Sequence, residues 1–276
     1  MRNAAITALL PGRAIAKPWG MDSLPAPFAI FSGGERVGEL WFEPPPELDR
    51  LLVKYLFTSE KLSVQVHPSD EQTLAAGLGR QGKDECWLVV RAEPNARIGV
   101  GLRREMGPAA LRDAALDGSI EELLDWRRVD AGDFLYIPAN TIHAIGGGLC
   151  ILEIQQNSDI TYRLYDYGRP RELHVDAAVR VARGAPYDRR HHRRHATQTT
   201  QSLVEGPSFR LHNIRGAPPA DIASQYRGPL LVIPIEGQAA IGAQVVGPGQ
   251  CALAQSISAI AFPADGACLI AQPIAI

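Results

Sequence analysis

The 276-residue sequence predicts an all-β fold, and three observations carry that reading. Glycine and proline are frequent, at 26 and 21 residues, and they punctuate the chain at short intervals. Between them lie short runs rich in Val, Ile, Leu and aromatics, which have the composition of strands. Helical periodicity is confined to one segment. The strand runs include Phe28–Ile30, Arg36–Phe42, Leu51–Phe57, Leu62–His67, Glu85–Arg91, Phe134–Ile137, Leu149–Gln155 and Thr161–Tyr165. Packed together they predict a β-barrel or sandwich.

The helical segment is RREMGPAALRDAALDGSIEELLDWR, residues 103–127. Ala109, Leu111, Ala114 and Ala115 form one apolar stripe. Ile120, Leu123 and Leu124 form a second, after Ser119 as N-cap, and Asp117-Gly118 divides the two. It reads as an insertion between barrel strands that covers a face or end of the barrel or walls the site. Residues 183–202, RGAPYDRRHHRRHATQTTQS, are polar and basic and lack apolar periodicity, so they are expected to form a linker or exposed loop. The arginines around His191, His192 and His195 repel a cation, which makes these histidines poor metal ligands. Residues 203–276 alternate strands with Gly-rich turns and are expected to form a smaller β-barrel-like domain. With His212 as its one histidine and no histidine–carboxylate cluster, it reads as a structural partner to the domain formed by residues 1–182.

Charge and composition exclude several functional classes. Lys plus Arg total 28 against 30 for Asp plus Glu, a formal net charge of -2, so the whole chain has no electrostatic footprint for nucleic acid or an anionic membrane. No apolar run approaches the roughly 20 residues of a membrane span. The N-terminal MRNAAITALLPGRAIAKPWG has only a short apolar patch, broken by Pro11 and Gly12, and no signal peptide is read there. Cys86, Cys150, Cys251 and Cys268 are scattered in or beside apolar runs. They are expected to be reduced, buried thiols in a cytoplasmic protein.

Three segments carry chemistry. In KLSVQVHPSD, Ser63, Gln65 and His67 alternate with Leu62, Val64 and Val66, so Gln65 and His67 share one strand face and can converge on a point. In GKDECWLVV, Glu85, Trp87 and Val89 share a face, while Cys86, Leu88 and Val90 share the other. Glu85 is either a surface carboxylate or a charge at the edge of a buried strand that needs a partner. In GDFLYIPANTIHAIGGG, a hairpin turning at Pro138-Ala139-Asn140 carries His143, which alone reads equally as a core histidine or a ligand; Gly146–Gly148 form a hairpin turn, not a phosphate loop. Two His, one carboxylate and one amide oxygen suit zinc or a similar divalent ion with open positions.

LSVQVHPSD, GKDECW, the helical insertion, GDFLYIPANTIHAIG and LEIQQNSDITYRLYDYGR follow in one order. Together with KPWG and GELWF, this series resembles the short bacterial form of the type I phosphomannose isomerases, over roughly residues 15–185. The tail after residue 200 matches loosely, and Asn140 stands where the family pattern has Gly, which Asn replaces at little cost. The resemblance implies a cupin, a jelly-roll β-barrel, with zinc held by Gln65, His67, Glu85 and His143. It also implies interconversion of mannose 6-phosphate and fructose 6-phosphate through a cis-enediol, with oligomeric state left open between monomer and homodimer. Arg163 matches the family's active-site arginine and Lys83 a lysine near the substrate, so both are expected in catalysis and substrate binding, with Ser63 beside them at the substrate. Glu153 shares a strand face with Ile151 and Gln155; in an apolar interior its pKa is expected to rise, which suits a general base, against a structural carboxylate as the alternative. Asp159 is a second acid/base candidate, and Lys83, Arg163 or Arg169 is expected to hold the phosphate. The competing functions are a cupin oxygenase with a two-His-one-carboxylate iron centre and a sugar-phosphate sensor without turnover.

Overall fold

A computed structural model describes residues 8–274. Residues 1–7, part of the stretch read as lacking a signal peptide, and 275–276, the end of the expected C-terminal unit, lie outside the described residues. Two antiparallel sheets close the first barrel. The long sheet holds, in spatial order, His192–Arg194, Asp133–Ile137, Glu85–Ala92, Leu149–Gln156, Leu51–Thr58, Val37–Phe42 and Gly12–Met21. The short sheet holds Tyr162–Tyr165, Val64–Val66, His143–Ile145, Arg97–Leu102 and Leu124–Arg128.

Side chains alternate across the long sheet and sort into two cores. Leu56, Trp87, Val89, Leu135 and Ile151 point into the barrel and pack with Ile98, Val100 and Ile145 of the short sheet. Val53, Tyr55, Phe57, Cys86, Leu88, Leu152 and Ile154 point the other way, onto Phe209, Leu211, Leu231, Leu253 and Leu269. A sheet buried on both faces explains why its strands read as nearly continuous apolar runs. Glu85, Trp87 and Val89 keep the shared face expected of them. Val90 departs from the face of Cys86 and Leu88: the register skips it between Val89↔Ile151 and Arg91↔Cys150, and it is exposed.

The second unit is a six-stranded sheet of Ala8–Leu9, Ala252–Ala254, Leu230–Glu236, Ala267–Pro273, Phe209–Ile214 and Gln201–Glu205, with a three-stranded sheet of Gln244–Val246, Ala239–Ile241 and Ile260–Ala261. Ile214, Val232, Ile241 and Ile270 belong to the core on its far side. Ala8–Leu9 joins this sheet from the other end of the chain, and the core it shares with the long sheet crosses residues 183–202. All four cysteines are buried free thiols.

Several local expectations change. Phe28–Phe31 is a 3-10 turn following Pro27, not a strand. Helix occupies only Pro108–Asp117 and Ile120–Leu123 of residues 103–127. Pro at the helix start and Gly118 at φ +83° bound the first helix. Leu124–Arg128 is instead a strand, because it completes the short sheet beside Arg97–Leu102. Leu111, Ala114, Ala115 and Ile120 pack with Ala178 of the helix Val175–Val181 and with Val64, Val66 and Ala144 of the short sheet, so the insertion covers the barrel's outer face. Within 183–202, His192–Arg194 forms an edge strand on Asp133–Ile137, which ties this stretch to the long sheet. The segment around Asn140 is not a hairpin: Asp133–Ile137 lies in the long sheet and His143–Ile145 in the short one, so the chain turns a corner between sheets. Asn140 does take the left-handed conformation, φ +72°, at that corner. Gly146–Gly148 likewise crosses between sheets; a Cβ on Gly146 would lie 2.4 Å from the Arg97 carbonyl oxygen.

Candidate metal centre

Strand register assembles the site from residues far apart in sequence. Gln65 pairs directly with His143 on one side and with Arg163 on the other. Across the barrel, Glu85 pairs with Gln155, and Glu153 lies between Trp87 and Lys54. His67 Nε2 and Glu85 Oε2 are 3.6 Å apart, His143 Nε2 and Glu85 Oε1 are 3.4 Å apart, and Gln65 Nε2 lies 3.2 Å from His143 Nε2. His67, Glu85 and His143 are each 1% exposed, so little water competes for them.

Hydrogen bonds on the far side of each ring choose the tautomer. His67 Nδ1 lies 2.9 Å from the Ile160 carbonyl oxygen and His143 Nδ1 lies 2.9 Å from that of Thr141. A carbonyl accepts, so each Nδ1 carries the proton and each Nε2 turns its lone pair toward Glu85. Ligand atoms of His67, Glu85 and His143 all fall within 4.8 Å of one another. A tetrahedral ion bound at about 2.0–2.1 Å spaces its donors by about 3.3 Å; the 3.4 and 3.6 Å separations, each to a different Glu85 oxygen, lie near that value. The donor set therefore fits a divalent ion. Ser63 Oγ lies 3.1 Å from Gln65 Oε1; since a hydroxyl both donates and accepts, it can hold the amide with either its oxygen or its nitrogen toward His143.

Two lysines balance the carboxylates. Lys83 Nζ lies 2.6 Å from Glu85 Oε2, 3.3 Å from Glu153 Oε1 and 3.2 Å from His67 Nε2. Lys54 Nζ lies 3.9 Å from Glu153 Oε1 and 4.7 Å from the centre of the Trp41 ring. Burial drives His67 well below the usual histidine range, helped by the Lys83 charge, and lowers His143 to about 4. Burial raises Glu85 to about 8 despite the pull of Lys83. Burial would also raise Glu153, but Lys83 and Lys54 outweigh it and hold the carboxyl at about 2. The expected upward shift of Glu153 is thus reversed, because its surroundings are cationic as well as apolar. Burial opposes the charge on Lys83, but Glu153 and Glu85 raise its pKa above the usual lysine range. Burial lowers Lys54, with Lys83 adding to the shift and Glu153 opposing it.

These groups lie on one cavity of about 420 Å³, whose wall also includes Trp19, Trp41, Asp159, Arg163, Arg171 and His174. The helical insertion contributes nothing to that wall. Lys83 is buried and engaged with Glu85 and Glu153. Ser63 is 2% exposed and occupied with Gln65, while Asp159 is exposed at the rim. Arg163 Nε is buried without a hydrogen-bond partner, and burial and then the Arg171 charge lower its pKa. Arg169 is not on the cavity wall; it pairs with Glu60 and Asp166. His191, His192 and His195 lie outside the centre, and buried His212 bonds Tyr226 Oη at 2.8 Å. Sequence reading missed Lys54, Glu39, Trp41 and Arg171. A lysine inside the apolar run LLVKYLF was the available signal, because a buried charge needs a reason.

Fold and site together define a cupin with a candidate divalent-metal centre. Its curated homologues are named mannose-6-phosphate isomerase. The Bacillus subtilis (strain 168) protein ManA is 37% identical over 197 residues, 68% of this chain and 62% of that protein. The Streptococcus mutans protein is 35% identical over 189 residues, 62% of this chain and 59% of that one. The matches thus span about three fifths of those relatives' length. No family model matches the chain. The crystal structure of the mannose 6-phosphate isomerase from Bacillus subtilis superimposes with a TM-score of 0.77 at 24% identity, over 96% of this chain and 98% of that one. A mannose 6-phosphate isomerase structure bound with zinc and yttrium gives 0.69 at 14% identity, over 98% and 100%. These likenesses show the fold.

Proposed function

We propose that the chain interconverts mannose 6-phosphate and fructose 6-phosphate, with zinc held by Gln65, His67, Glu85 and His143. The observation that carries this reading is the convergence of two histidine Nε2 lone pairs on Glu85 inside a cavity that also holds Lys83 and Glu153. The names of the curated homologues support the substrate. When bound, the ion supplies charge stabilisation for the substrate's two oxygens at C1 and C2.

The chain's own groups do the rest. Glu153, kept ionised by Lys83 and Lys54, takes the proton between C1 and C2. Lys83, protonated and fixed by two carboxylates, donates to a sugar oxygen at the metal end. Arg163 and Arg171, both on the cavity wall, hold the phosphate; Arg163 Nε has no hydrogen-bond partner, while Arg171 is oriented by Asp166. Asp159 sits at the rim and moves no proton in this scheme.

No helix among the described residues is long and apolar enough to cross a membrane. A coupled assay for fructose 6-phosphate, run on the protein as purified, after chelation and after zinc is restored, tests the proposal. Activity should vanish on chelation and return with zinc. A zinc-loaded protein that yields no fructose 6-phosphate would sink it.

A further inference from the structure

Asp84 is a buried carboxylate next to a candidate ligand, yet it does not line the cavity. Strand phase explains why. Glu85 points into the barrel, so Asp84 points the opposite way, with Cys86 and Leu88, toward the C-terminal sheet. There its Oδ2 accepts from Ser208 Oγ at 2.6 Å, and its Oδ1 accepts from the Ala139 backbone N–H at 2.8 Å. Its own backbone N–H donates to Gln156 Oε1 at 2.8 Å. Gln156 Nε2 donates in turn to Asp70 Oδ1, which also accepts from Gly82 N–H.

These bonds join three elements that the metal centre needs in register. Glu85 follows Asp84 directly. Ala139 opens the corner that delivers His143, and the next residue, Asn140, donates its N–H to the His67 carbonyl at 2.8 Å. Ser208 precedes the strand Phe209–Ile214 of the C-terminal sheet. We infer that Asp84 is a positioning residue that, through Ser208, uses the C-terminal sheet to hold Glu85 and His143 at ligand spacing. The C-terminal unit then helps set the geometry of a site to which it contributes no ligand. The inference rests on the metal reading above.

The test measures zinc dissociation constants by competition with a chelating dye for the wild type, Asp84→Asn, Ser208→Ala and Ser208→Thr, with far-ultraviolet circular dichroism to confirm folding. Asp84→Asn should weaken zinc binding by about 10-fold, the low end of the roughly 10–100-fold cost of losing a group bonded directly to a metal ligand. Ser208→Ala, remote from the cavity, should weaken it in the same direction, and Ser208→Thr should restore it because the hydroxyl returns. Wild-type affinity in folded Ser208→Ala would overturn the inference. Should Asp84→Asn fail to fold, the serine pair decides alone. Amide hydrogen exchange over residues 138–145 of metal-free protein reads the same tether. It should quicken in Ser208→Ala while Phe209–Ile214 stays protected, and unchanged exchange would overturn the inference. A wild type that bound no zinc would fail the metal reading and leave this one to the exchange data.

Discussion

Lys83 Nζ lies 2.6 Å from Glu85 Oε2, so an ammonium borders the candidate metal centre. Glu85 and Glu153 are both buried, and Lys83 is a cation they share. Removing one partner of a buried pair costs about 3–5 kcal/mol because the other charge is left unpaired. Lys83→Met should therefore lower the stability of the metal-free protein by about that amount, and lower that of the zinc-loaded protein less, because the ion takes over Glu85. Urea unfolding with and without zinc checks this. Equal losses in both states would show that Lys83 does not substitute for the ion.

The histidines predict how the metal-free protein responds to acid. His143 is lowered to about 4 from an ordinary value near 6.5, so between those values the unfolded chain binds a proton that the folded chain does not. The stability this ring contributes is thus greatest above about pH 6.5 and falls as pH drops toward 4, while Glu85, raised to about 8, contributes a slope of the opposite sign. His67, lowered further by burial and Lys83, adds to the slope of His143. Between pH 6.5 and 4 the metal-free melting temperature should fall more steeply, or rise less, in the wild type than in His143→Gln. Equal slopes in the two proteins would contradict a buried, neutral His143.

The extent to which the sequence revealed this site follows from strand geometry. Alternation within one strand is local, so it placed Gln65 with His67, Glu85 with Trp87, and Glu153 with Ile151, and the two cores separate those faces. Pairing between strands is not local. Nothing in the residues themselves says that Gln65 lies opposite His143, and the motif order of a resembling family supplied His143 instead. The corner at Pro138–Ile142 read as a hairpin because Pro-Ala-Asn between apolar runs has the same chemistry whether the chain returns to its own sheet or enters another. Leu124–Arg128 read as the end of a helix because its neighbour, Arg97–Leu102, is remote in sequence. The direction of the Glu153 shift was misread because Lys54 comes from a strand almost a hundred residues earlier.

Lys54 supplies a prediction about the charge on Glu153. It is one of two cations that outweigh burial at Glu153, and an opposite charge at such range lowers a carboxyl pKa by about 1–3 units. Lys54→Met should let Glu153 rise by about 1–3 units, read from the Glu153 carboxylate band in infrared spectra recorded across pH, assigned by difference against Glu153→Gln. The shift has this sign because the cation favours the ionised carboxylate. A band that titrated as in the wild type would show that Lys54 does not set the charge on Glu153.

Gly82 tests whether the turn ahead of Lys83 needs its close approach. A Cβ there would lie 2.4 Å from the Pro68 carbonyl oxygen and 2.4 Å from the Ser69 carbonyl carbon, both backbone atoms. Those atoms follow His67 directly, while Lys83 and Glu85 follow Gly82, so the two segments that converge on the metal touch through this glycine. Its N–H also donates to Asp70 Oδ1 at 2.7 Å. Backbone cannot rotate aside as a long side chain can, so Gly82→Ala must push the segments apart. Overpacking of this kind costs about 1–3 kcal/mol, and the displacement should also lengthen the His67–Glu85 spacing. Gly82→Ala should therefore unfold at lower urea and bind zinc more weakly than the wild type. Wild-type values for both would mean that the turn can open without moving either ligand.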